Sequence, residues 1–339
     1  MPTSTAQAAT GGRKILFLHI GSHKTATTFL QSSLARNRAA LDALGILYPR
    51  AGRIHEAHFR LCWELKDPAL RDTPLPSLPL WSELLAELDA APQPVAVLSS
   101  EEFGLGLDPT RLEALKAHHD VRVIFYLRSP DSHMESFYNQ FVKDFDTREP
   151  RTIETYIAEE GLFFLDAMRL LRPWMEMFGA DAIRLRLFDR AHLPDGILAD
   201  FLRTLGLASW PEFRPPAPSV LHKVSLPPDA LEYLRISNPW LDRREGHHDF
   251  VVRLVEMAKA NAEALQETRA GILSLKARQT LRRRFRDSNF EAARTFLGAP
   301  RTPFPPLDAP LPPADFDTRP PEACAATMGR VAAMIRNMG

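Results

Sequence analysis

Hydrophobic residues along this chain fall into two alternating patterns. Continuous apolar runs occur at KILFLHI (14–20), GILYPR (45–50), VAVLSS (95–100), VRVIFYL (121–127) and AIRLRLF (182–188). Short unbroken runs of this kind predict strands buried on both faces of a parallel sheet. Between them, apolar positions recur every three or four residues. Phe29, Leu30, Leu34, Leu41 and Leu44 predict a helix from Thr27 to about Leu44, stopped by Gly45. HEAHFRLCWEL (55–65), WSELLAELDA (81–90), Pro109 to His118, PDSHMESFYNQFVKDF (130–145), TIETYIAEE (152–160), FFLDAMRLLRPWMEMF (163–178) and DGILADFLRTLGL (195–207) read as further helices. Strands alternating with helices predict an α/β fold with a central parallel sheet flanked by helices. The character changes after about Trp210, where a proline-rich loop leads into helical and proline-rich sequence. The expected organisation is a disordered 1–13, an α/β core over 14–210, and an extension over 211–339 packing on that core.

Composition narrows the function classes. The 339 residues carry 42 basic and 42 acidic side chains, a formal net charge of zero. No global attraction to nucleic acid or to an anionic membrane is expected from that balance. No apolar run approaches membrane-spanning length, and MPTSTAQAATGGRK lacks the apolar core of a signal peptide, so a cytoplasmic location is expected. Cys62 and Cys324 stand far apart without metal-ligand spacing and are read as free thiols.

The chemistry starts at GSHKTATT (21–28), directly after the first apolar run. A helix N-terminus at the carboxyl end of a parallel strand presents amide N–H groups and a positive dipole end to an anion. Ser22, His23, Lys24, Thr25, Ala26, Thr27 and Thr28 supply small side chains, hydroxyl donors and a cation at that junction. Only 8 of the 42 basic residues are lysines, and Lys24 is one of them. A nucleotide-hydrolase loop, GxxxxGK[ST], places its lysine at the helix start. Here Lys24 comes first and the small residues follow. KTATT instead resembles the 5′-phosphosulfate loop, KxGTT, of sulfotransferases that use 3′-phosphoadenosine 5′-phosphosulfate (PAPS). Ala26 departs from the glycine usual in that loop.

The resemblance extends to VRVIFYLRSPDSHMESF, where Arg128 ends an apolar run and Ser136 follows eight residues later. In that family an arginine and a serine at this separation grip the nucleotide's 3′-phosphate. AIRLRLFDRAHLPDGILADFLRTLGL is similar to the family's late strand, acidic turn and helix. The resemblance implies a P-loop-like α/β fold, PAPS as donor, adenosine 3′,5′-bisphosphate (PAP) as product, and no required metal. It implies an acceptor carrying a hydroxyl or amine, such as a carbohydrate or small metabolite, and Lys24 as the cation over the departing phosphate.

A base must take the acceptor's proton. Glu101, and then Glu102, at the end of VAVLSSEEF are the first choices, with His58 and less so His55 as rivals. His133 is read as solvent-facing. In LRRRFRDSN, the sharper reading puts Arg282 and Arg284 over the 3′-phosphate and Phe285 on the adenine; the plainer one is a solvated helix face. Trp63, Trp81 and Trp240 are read as core residues before sugar-stacking ones. The competing assignments are a kinase or nucleotide-binding protein with an atypical phosphate loop, and a binding protein without turnover.

Overall fold

The computed structural model describes residues 13–214, 216, 225–241, 246–261, 272–304, 307 and 321–336. The expected disorder of 1–13 lies almost wholly outside them, as does most of the loop after Trp210. All five apolar runs form strands: β1 (Lys14–His19), β2 (Ile46–Leu47), β3 (Val95–Ser99), β4 (His119–Leu127) and β5 (Ile183–Leu187). They make one sheet in the order β2-β3-β1-β4-β5, with every pair parallel. The fold is α/β, a central parallel sheet flanked by helices. Among the described residues, no helix is long and apolar enough to cross a membrane.

Parallel strands all deliver their carboxyl ends to one edge. The register of β1 with β3 (His19 opposite Ser99) and with β4 (His19 opposite Ile124) brings the segments after three strands to that edge. Beneath them the core is closed by Phe17, Leu30, Leu34, Val97, Ile124, Tyr126 and Phe201. Leu30 and Leu34 are fully buried, and removing such side chains from water is worth about 1.5–3 kcal/mol each. That burial anchors the first helix, Thr27–Arg36, against the sheet.

Chain contacts divide the molecule into two units, and the division does not fall at residue 210. The first comprises residues 1–128, 166–220 and 287–303; the second comprises 129–165, 221–286 and 304–339. The physical reason lies in the helix Pro130–Lys143. Its apolar face, Met134, Tyr138 and Val142, joins Ala230, Leu231, Leu234, Leu254 and Leu281 in a core of the second unit's own. A periodic pattern shows that a helix has an apolar face without showing which partner covers it.

Two helices differ from expectation. The first ends at Arg36 and a short helix resumes at Arg38, because Asn37 leaves helical geometry (φ −109°, ψ 23°). Its side-chain amide donates to the carbonyls of Ser33 and Arg214, and its oxygen accepts from the Arg214 amide at 2.7 Å. The helix expected over 55–65 begins only at Phe59. Before it, Ile54 and Ala57 exchange backbone hydrogen bonds across His55 and Glu56, both at positive φ. That is a tight turn rather than a helical one.

Candidate active site

The loop after β1 is shaped by its backbone. Gly21 (φ 53°), Lys24 (φ 65°) and Ala26 (φ 59°) all lie in the left-handed region. Glycine is needed at position 21 for space as well, since a Cβ there would stand 3.0 Å from Thr27 Cγ2 and 3.1 Å from Glu101 Cα. Ala26 occupies the same region with a Cβ, at a cost of about 1–2 kcal/mol. It is the N-cap of the first helix and makes no side-chain cap hydrogen bond of its own. Thr25 is fully buried and its hydroxyl donates to the Ser22 carbonyl at 2.6 Å, bracing the loop from inside. Ser22 and Thr27 are buried, while His23, Lys24, Ala26 and Thr28 are partly exposed.

Arg128 follows directly on β4. Its Nη1 donates to the Lys24 carbonyl at 2.8 Å, and its guanidinium lies over the Phe188 ring at 5.5 Å. Two motifs about a hundred residues apart in sequence are therefore in direct contact. The adjacency follows from topology: β1 and β4 are neighbours, so the turns after them meet.

Glu101 opens a short 3-10 turn after β3. Its carboxylate accepts from Gln31 Nε2 at 2.9 Å and lies 3.4 Å from Thr27 Oγ1. Gln31 and Thr27 stand four residues apart on the first helix and so share a face. Gly104 closes the opposite side; its amide donates to the Ile20 carbonyl at 3.1 Å, and a Cβ there would meet the carbonyls of Ile20 and Gly21 at 2.8 Å. Neither Gln31 nor Gly104 emerges from sequence reasoning. Gln31 carried one usable signal, a polar residue on the helix stripe marked by Phe29, Leu30 and Leu34.

The other base candidates are otherwise engaged. Glu102 pairs with Lys66 at 2.8 Å. His58 is fully buried, its Nδ1 accepts from the Ser99 amide at 3.1 Å, and its Nε2 lies 3.2 Å from the Pro49 carbonyl. Burial, with help from Arg53, pushes its pKa down to about 3. Both ring nitrogens thus serve as struts between β3 and the segment after β2. His19 is a second buried histidine here, with Nδ1 2.8 Å from Ser99 Oγ and a pKa lowered by burial to about 3.

Ser136, Arg282 and Arg284 belong to the second unit. Ser136 lies half-buried on the helix Pro130–Lys143. Arg282 Nε donates to Asp131 Oδ1 at 2.8 Å, and Arg278 bridges Asp131 and Glu135. Arg284 Nη2 approaches the Gly161 carbonyl at 3.5 Å. Phe285 is in this unit's apolar core and so has no open face for an adenine ring. His133 is corrected. It is 2% exposed and packs edge-on against Phe137 and Phe164. Of the tryptophans, Trp81 is fully buried, whereas Trp63 and Trp240 are 50% and 87% exposed rather than core residues. Cys62 is a buried free thiol. Among the described residues, no group of three or more histidine, cysteine or acidic side chains could hold a metal ion.

No protein-family model matches this chain, and no curated protein does. Among solved structures, a sulfotransferase from Alicyclobacillus acidocaldarius aligns over 66% of this chain and 94% of its own, with 17% identity and a TM-score of 0.37.

Proposed function

We propose that this protein transfers a sulfuryl group from PAPS to a hydroxyl or amine of an acceptor, a carbohydrate or small metabolite. The observation that carries the reading is the 2.8 Å hydrogen bond from Arg128 to the Lys24 carbonyl. It puts the KTATT turn and the strand-end arginine at one place, where two anionic groups of one nucleotide could be held together. The donor set suits such a ligand: loop amides, a lysine, threonine hydroxyls and a guanidinium are the groups that bind phosphate and sulfate oxygens.

Within this reading the loop amides and the first turn of the first helix orient the 5′-phosphosulfate, and Arg128 holds the 3′-phosphate. PAPS supplies the sulfuryl group and a phosphate leaving group. Glu101 accepts the proton from the acceptor hydroxyl as its oxygen bonds to sulfur. Lys24 stabilises the negative charge that collects on the bridging oxygen as the sulfur–oxygen bond breaks. Glu101 is favoured as base because it abuts the loop, whereas Glu102 is salt-bridged and His58 is sealed in the core. All of these residues belong to the first unit.

Calorimetry with PAP tests the assignment. PAP should bind without magnesium and more tightly than AMP or ADP; tighter ATP binding that requires magnesium would favour the kinase reading and overturn this one. With PAPS as donor, Lys24→Ala should lower turnover by roughly 100-fold or more, while Arg128→Ala should mainly weaken donor binding.

A further inference from the structure

The two hydrogen bonds that Glu101 receives are unequal. Gln31 is 2% exposed, and its amide reaches Oε2 at 2.9 Å, an ordinary hydrogen-bond length. The Thr27 hydroxyl reaches Oε1 only at 3.4 Å, longer than an ordinary O–H···O hydrogen bond. Gln31 has no second role in sight. Thr27 does, because it is the first residue of the first helix and belongs to the KTATT turn. A threonine hydroxyl carries one proton, so it cannot donate to Glu101 and to a bound anion together.

We propose that Gln31 is a positioning residue that fixes the Glu101 carboxylate, and that Thr27 is shared, donating to Glu101 when the loop is empty and to the sulfate or phosphate oxygens of the donor when it is filled. The device rests on the sulfuryl-transfer reading. It links the two halves of the reaction through one proton. Donor binding withdraws a hydrogen bond from Glu101, and a carboxylate with fewer donors holds a proton more readily. The base is strengthened only when there is a group to transfer, while Gln31 keeps it aimed throughout.

Few neighbours could mimic this effect. Glu102 is compensated by Lys66 at 2.8 Å. Tyr48 and Cys62, which both sense the Glu101 charge, are held neutral because burial pushes their pKa values far up. Burial likewise keeps His58 neutral. The bound anion itself would raise the Glu101 pKa through charge alone, so the test needs a variant lacking only the shared hydroxyl.

Carboxyl NMR of Glu101 in the full chain, with and without PAP, separates the outcomes. In the wild type the Glu101 pKa should rise on PAP binding. In Thr27→Val the rise on adding PAP should be smaller than in the wild type. In Gln31→Met the ligand-free pKa should also rise, since the firmer of the two donors is lost. PAP binding with equal increments in wild type and Thr27→Val overturns the sharing and leaves the sulfuryl-transfer reading intact. An unmoved pKa in Gln31→Met removes Gln31 as a positioning residue. Failure of the wild type to bind PAP overturns both readings. The wild-type titration needs no variant to fold.

Discussion

In the first unit Arg128 is held against a backbone carbonyl; in the second, Arg278 and Arg282 are held against carboxylates. A carbonyl accepts from a guanidinium donor but carries only a partial charge. A carboxylate cancels the charge, and a buried pair becomes a fixture of the packing. Asp131 is 1% exposed and Arg278 6%, and together they tie the helix Pro130–Lys143 to the helix Leu275–Arg284. Residue type therefore says little about an arginine's task. The LRRRFR run is the denser cluster of positive charge in sequence, yet one of its arginines is committed to Asp131, and Arg128 sits on the loop.

Three experiments can break or sharpen this contrast. The largest effect is expected at Arg278. Arg278→Met strands Asp131 and Glu135 without one of their cations, and should cost about 3–5 kcal/mol of stability in urea unfolding. A loss below about 1 kcal/mol would mean that the second unit's ion pairs are incidental.

Acidification comes next. In the first unit burial lowers the folded pKa values of His19 and His58 from the ordinary 6.5 to about 3. The unfolded chain therefore binds protons that the folded chain refuses. Stability is fully present above pH 6.5 and falls as the pH drops from there towards 3, by about 1.4 kcal/mol per pH unit for each histidine. In His58→Gln the decline between pH 6.5 and 5 should be shallower than in the wild type. An unchanged slope would show that His58 is not held neutral. In the second unit burial tends to raise the Asp131 pKa, but hydrogen bonding and charge from Arg282, with Arg278, more than offset it and hold it below the ordinary value. Its contribution persists above the ordinary carboxylate range and is lost only at lower pH.

The smallest effect is at Ala26. Ala26→Gly removes the Cβ from a left-handed residue and should stabilise the protein by about 1 kcal/mol. A lower melting temperature in the glycine variant would show that the loop does not rest in this conformation.

Much of the fold was legible in advance. Each of the five unbroken apolar runs became a strand, because a strand covered by helices on both faces has no polar side to show. The candidate turn stood out for a related reason, since it sets small residues and a lysine directly after such a run. Other positions were opaque. His58, with bonds to Ser99 and Pro49, looks in sequence like any histidine near a strand end. His133 became a core residue because Phe137 and Phe164 cover it. Gln31 has its Glu101 partner only because β3 delivers that residue beside the first helix.

The sequence by itself determined the local states of this chain: which segments are strands, where the first helix starts, and which turn has the composition to hold an anion. Those follow from spacing and side-chain size, which act between near neighbours. Only the tertiary structure decided which distant residues share a partner: that Arg128 meets the Lys24 carbonyl, that Glu101 meets Gln31 and Thr27, and that Arg282 spends its charge on Asp131. Such pairings depend on strand order and on which apolar face covers which. A single sequence encodes those only through the packing of the whole unit.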